Sequence, residues 1–152
     1  MLGLPFPGVT AAVVLCAFQG APLDGTWELT RVFRSGPAPA TRTVPVDSTV
    51  YIRVTLESHP GDWISGRLYR RYHGADERSK IEGGPLRGTG RWIIGADLER
   101  PASAKARTAA WLAADTLRFG TSFVPDADSI ELRRVSADAP YPASVVEVVT
   151  AR

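Results

Sequence analysis

From Thr49 to Glu57 the chain reads TVYIRVTLE, with an apolar side chain at every second position. Successive side chains of an extended strand point to opposite sides. Val50, Ile52, Val54 and Leu56 therefore share one face, and Tyr51, Arg53, Thr55 and Glu57 share the other. The next run, WISGRLYRRYH from Trp63 to His73, alternates again. Ile64, Gly66, Leu68, Arg70 and Tyr72 lie on one side of it, and Arg67, Tyr69, Arg71 and His73 on the other. Between the two runs stands SHPGD (Ser58 to Asp62), and a Pro-Gly turn in that place predicts an antiparallel hairpin.

The same period recurs along the chain. LDGTWELTRVF, Leu23 to Phe33, predicts a first strand. Strict alternation puts Trp27, Leu29, Arg31 and Phe33 on one of its faces and Thr26, Glu28, Thr30 and Val32 on the other. A short strand is expected over 78–82, stopped by Gly83-Gly84-Pro85, and another over 91–98. A pair follows over 108–113 and 116–120 around a turn at Ala114-Asp115, with an Ala-rich helix over 103–114 as the competing reading. DSIELRRV places Ile130 and Leu132 inward, and SVVEVVT (144–150) is β-branched almost throughout. The Pro-rich stretch RSGPAPATRTVPVDS, 34–48, is too polar for a strand and is expected to be a long loop between the first two strands. Eight or nine short alternating runs without a 3.6-residue stripe predict an all-β fold, an antiparallel barrel or sandwich. The pattern leaves open whether the final Val-rich run closes the barrel or lies on an edge.

Composition changes this picture mainly at the N-terminus. Residues 1–21 carry no charged side chain, and VTAAVVLCAF (Val9 to Phe18) is a compact apolar run. About ten apolar residues are too few to cross a bilayer but suit the core of a secretory signal. Residues 1–21 are therefore expected to be a signal segment, residues 22–152 the barrel domain, and the location periplasmic or secreted. Leu15 before Cys16 is too bulky for a lipoprotein signal, so no lipid anchor is expected there. Cys16 is the one cysteine, which excludes a disulfide framework and a thiolate metal site. A net charge of +2 is too small to predict a polyanion partner from the total alone.

Gly25, Thr26 and Trp27 open the first strand just after the leader and ahead of the long stretch 34–48. This arrangement resembles the lipocalin superfamily, and the resemblance implies a single antiparallel up-and-down β-barrel of about eight strands. The resemblance implies that Gly25 permits a close turn into the barrel and that Trp27 plugs its closed end from inside. It also implies a basic residue of a late strand lying across that Trp, where cation–π attraction holds it. Arg133 and Arg134 are available, and alternation with Ile130 and Leu132 favours Arg134. The middle Thr-Asp-Tyr motif of that family is absent, as is its disulfide.

No catalytic pattern stands out. There is no nucleophile elbow, phosphate loop or dinucleotide fingerprint, and no enzymatic activity or cofactor is expected. His59, His73, Asp62 and Asp76 lack metal-ligand spacing, so no metal is expected. GRLYRRYHG (Gly66 to Gly74) interleaves basic and aromatic residues in the manner of single-strand binders. The simpler reading is an outer barrel face whose arginines pair with acids such as Glu57, and no nucleic-acid partner and no stable membrane span are expected. The preferred function is binding of a small, partly apolar ligand inside the barrel, lined by Arg70, Tyr72, Trp92 and Trp111. The alternative is a side-chain-filled barrel that acts through its surface, since eight strands enclose little more than their own side chains.

Overall fold

The structure, a computed structural model, describes residues 23–48, 50–72, 74–96, 106–120 and 123–152. The expected signal segment lies outside them. Ten strands follow one another: β1 (Gly25–Gly36), β2 (Ala40–Pro45), β3 (Tyr51–Ser58), β4 (Ile64–Tyr72), β5 (Ala75–Leu86), β6 (Arg91–Ala96), β7 (Ala106–Ala113), β8 (Thr116–Phe119), β9 (Ser129–Val135) and β10 (Ser144–Ala151). Eight of them, β1 and β3 to β9, form a closed ring in which every neighbour is antiparallel. This is the expected barrel. The final strand does not close it. Instead β10 runs parallel to the second half of β1 outside the ring and carries β2 antiparallel on its far side.

The stretch 34–48 is thus not a plain loop. Residues 34–36 extend β1, 40–45 form β2, and Val46–Ser48 make one 3-10 turn. β2 sits at the outer edge with five of its six residues exposed, so it never needed the alternating pattern that marks a half-buried strand.

β1 is the hinge of the topology. Its first residues, Gly25–Glu28, pair with β3, and from Arg31 onward β10 takes over that edge. On the opposite edge β9 follows β1 from Thr26 to Phe33, with a register shift between Leu29 and Arg31. One extra residue in a strand exchanges its faces from that point on. The expected grouping of Trp27 and Leu29 with Arg31 and Phe33 is therefore corrected. Trp27, Leu29 and Val32 are buried in the core, whereas Arg31 is exposed and Phe33 half-buried beneath Arg118.

One further expectation is corrected. The strand expected over 78–82 continues as β5 through Gly83, Gly84 and Pro85 to Leu86. Gly83 is not a breaker: a Cβ there would lie 2.2 Å from the carbonyl oxygen of Ile93. Gly66 is required for the same reason, with the Thr55 oxygen at 2.0 Å. The sheet coils tightly at both points and only glycine admits the neighbouring backbone. The Ala-rich stretch is strand over 106–113, turning at Ala114, whose φ is +54°.

Register shows that cross-strand partners share a face, so the inner wall can be read around the barrel. One end gathers Trp27, Leu56, Ile64, Trp92 and Leu117 beneath Leu23. The other gathers Val32, Ile52, Arg70, Phe119 and Ile130, and Phe123, Val124 and Ala127 of the β8–β9 connection pack with the same core. All these side chains except half-buried Trp92 are at most 5% exposed, each apolar one contributing up to about 1.5–3 kcal/mol.

Candidate functional site

At the Trp27 end, the indole Nε1 donates to the Leu23 carbonyl at 2.9 Å. The Arg134 guanidinium lies 4.4 Å from the Trp27 ring centre and donates to the Asp24 carbonyl. Gly25, at φ +123°, stands against that guanidinium: a Cβ there would come within 2.7 Å of Arg134 Nη1. Gly25, Trp27 and Arg134 therefore form one stopper. Arg133 points the other way, to the outside, where it meets Glu28.

Of the four residues expected to line a chamber, Arg70, Trp92 and Trp111 do not converge. Arg70 is fully buried at the opposite end of the barrel, and its Nε donates to Glu77 at 2.9 Å. Its Nη1 also faces the Phe123 carbonyl at 3.5 Å. The guanidinium is thus neutralised and covered. Trp92 pairs across the sheet with Ala110 near the Trp27 end and packs half-buried against the core. Trp111 lies beside Arg118 on the outer wall, with Arg91 5.1 Å from its ring centre. The Tyr72 side chain lies outside the described residues, as does His73. A shared lining for Arg70, Trp92 and Trp111 is corrected by the register, which separates Arg70 from Trp92 along the barrel and puts Trp111 outside.

The outer wall holds two kinds of charge. Around β1, β9 and β10, three carboxylates lie nearly buried and each collects cations. Glu28 accepts from Arg53 at 2.7 Å, Arg133 at 3.0 Å and the Tyr51 hydroxyl at 3.0 Å. Glu131 pairs with Arg118 at 2.9 Å and Arg31 at 3.7 Å. Glu147 pairs with Arg42 at 2.7 Å and Arg34 at 3.8 Å. Burial alone would raise the Glu28 carboxyl, but hydrogen bonds from Arg53, Arg133 and Tyr51 outweigh it and hold it below its ordinary value. Burial, with Glu28 beside it, pushes the Tyr51 hydroxyl well up, so it stays protonated and donates. Arg53 also donates to the Ala139 and Pro140 carbonyls at 2.7 and 3.2 Å, strapping the β9–β10 connection against the barrel.

Over β3, β4 and β5 the charge is arranged differently. A groove of about 460 Å³ is lined by Arg53, Arg67, Tyr69, Arg78, Lys80 and Tyr141, among others. Register places Arg67 directly opposite Lys80, and Tyr69 opposite Arg78. No described carboxylate comes within 4.0 Å of the charged nitrogens of Arg67, Arg78 or Lys80. The nearby Asp76 is engaged: Arg71 binds it at 3.1 Å and the Tyr69 hydroxyl donates to it at 2.9 Å. Those two partners hold the Asp76 carboxyl below its ordinary value. Tyr69 and Tyr141 have ring centres 5.2 Å apart, with Tyr51 5.4 Å from Tyr141, and Arg53 lies 4.3 Å over the Tyr141 ring. Arg78 sits 5.9 Å from the Tyr69 ring centre.

Of the groove, the sequence pattern had picked out Arg67 and Tyr69 on one face, with pairing to Glu57 as the simpler outcome. Glu57 makes no ion pair among the described residues. Arg78, Lys80 and Tyr141 were not singled out. The alternation in DERSKIE carries the first two, but only the hairpin register sets them opposite Arg67 and Tyr69.

His59 stacks on Trp63 at 4.0 Å and meets the Ser65 hydroxyl at 2.6 Å, at the turn end of the β3–β4 hairpin. Asp76 lies at its other end. Among the described residues no group of three or more His, Cys, Asp or Glu side chains could hold a metal ion, and no helix is long and apolar enough to cross a membrane. No protein-family model matches this sequence, and no characterised protein or solved structure matches it either.

Proposed function

We propose that this protein is a filled β-barrel that works through its outer wall, binding an anionic ligand in the groove over β3, β4 and β5. One observation carries this reading: Arg67 and Lys80 stand directly opposite each other with no described carboxylate within 4.0 Å, beside Arg78 and two tyrosine rings. Like charges directly opposite on neighbouring strands cost stability. An anion entering the groove would relieve that cost and take charge-assisted hydrogen bonds. The interior offers less to a ligand, because Trp27, Phe119, Phe123 and the Arg70–Glu77 pair occupy both ends of it.

The stopper of Gly25, Trp27 and Arg134 supports a lipocalin-like scaffold. Export directed by residues 1–21 belongs to the same proposal.

Calorimetric titration with inorganic pyrophosphate at low ionic strength tests it. Saturable binding near one equivalent is expected, lost in Lys80→Glu and kept in Arg87→Glu, which makes the same charge change in the β5–β6 turn. Absence of saturable binding, or equal loss in both variants, contradicts the reading.

A further inference from the structure

Beside the basic groove lies a second one, of about 560 Å³, lined by Trp63, Lys80, Glu82, Gly84, Ile93 and Arg107 among others. Lys80 borders both, so the two grooves adjoin on the outer wall. Register orders its floor: Ser65 opposite Glu82, Glu82 opposite Gly95, and Gly95 opposite Arg107.

Two features of this second groove have no packing explanation. Trp63 is 47% exposed, although an indole gains more from burial than almost any other side chain. It is nonetheless held in place, stacked at 4.0 Å on His59, which Ser65 holds in turn. Gly84 differs from Gly83: a Cβ on Gly84 would meet nothing within 4 Å. Neither the backbone nor a neighbour demands glycine there. What its missing side chain provides is depth in front of the Trp63 ring.

Resting on the anion-binding reading above, we propose that the ligand is a chain of acidic sugar residues. One sugar ring lies on the Trp63 face over Gly84, and the carboxylates of following residues reach Lys80, Arg67 and Arg78. Trp63 and Tyr69 are separated along the strand by about 20 Å, room for several rings. The side chains suit such a ligand. Sugar hydroxyls both donate and accept, and the Trp63 groove offers Glu82 as acceptor and Lys80 as donor. Arginine in the adjoining groove takes carboxylates in paired hydrogen bonds. Single-stranded nucleic acid, which also stacks on aromatic rings, is the competing occupant.

The test compares oligogalacturonate, monomeric galacturonate, oligo(dT) and inorganic pyrophosphate on the wild type and on Trp63→Ala. Oligogalacturonate is expected to bind most tightly and to quench tryptophan fluorescence. Trp63→Ala should weaken it about tenfold while changing pyrophosphate binding less than about twofold. If pyrophosphate binds but oligogalacturonate binds no tighter than the monomer, or is indifferent to Trp63→Ala, the sugar-chain proposal falls and the anion site stands. Tighter binding of oligo(dT) overturns it in favour of nucleic acid. If no anion binds, both fall together. Trp63→Phe, which keeps a flat ring, should recover most of the lost affinity, and no recovery would count against stacking.

Discussion

Two parts of the same outer wall use arginine in opposite ways. Around β1, β9 and β10, Arg31, Arg34, Arg42, Arg53, Arg118 and Arg133 converge on three nearly buried glutamates. Over β3 to β5, Arg67 faces Lys80 across the strands with no described carboxylate within 4.0 Å of either, and Arg78 lies next to them opposite Tyr69. The first arrangement fastens the outer strands and the β9–β10 connection to the ring. In the second, the repulsion between Arg67 and Lys80 is left without an ion-pair partner within 4.0 Å. Where a protein carries such a cost beside an open groove, binding is the natural compensation.

Removing the centre of the paired side should have the largest effect. Glu28→Ala leaves Arg53 nearly buried without its acid, and losing one partner of a buried pair costs about 3–5 kcal/mol. Urea unfolding at neutral pH measures this, against a change within about 0.5 kcal/mol for Lys80→Ala. Equal effects would erase the distinction.

Acid separates the two sides next. The folded Glu28 carboxyl titrates below its ordinary value of 4.5, which is close to where it titrates in the unfolded chain. Its contribution is therefore full above about pH 4.5 and is lost as pH falls through the depressed folded value. Wild-type stability should drop on that descent more steeply than that of Glu28→Gln. Parallel profiles would show that the carboxylate is not held as described.

Much of the barrel could be read from period-two alternation, because a strand with one wet and one dry face must alternate. β3 and β4 are the clearest cases, and the preference for Arg134 over Arg133 came from the same rule. The rule fails where its premise fails. β2 has no dry face, the shift at Leu29/Arg31 reverses β1 in mid-strand, and Gly83 is glycine because a carbonyl leaves no room for Cβ. The groove was half legible. Arg67 and Tyr69 lie on one face of one strand, but Lys80, Arg78 and Tyr141 come from other segments that pairing alone brings near. The partner of Arg70 was not legible for a related reason: Glu77 is set opposite it by register, not by position along the chain.

The smallest effect is the most pointed. Lys80→Glu places an acid opposite Arg67, and an opposite-charge cross-strand pair contributes about 0.2–1 kcal/mol. The variant should unfold at slightly higher urea than the wild type while losing pyrophosphate binding. A variant that loses stability and binding together would show that Lys80 serves the fold.

The central claim, that the cations over β3 to β5 are free to take an anion, is tested most directly by following backbone amides in a pyrophosphate titration by NMR. The account predicts saturable shifts confined to 67–69 and 78–80, with amides near Glu131 and Glu147 unmoved. Shifts that appear first around those two glutamates, or none that saturate in β4 and β5, would contradict it.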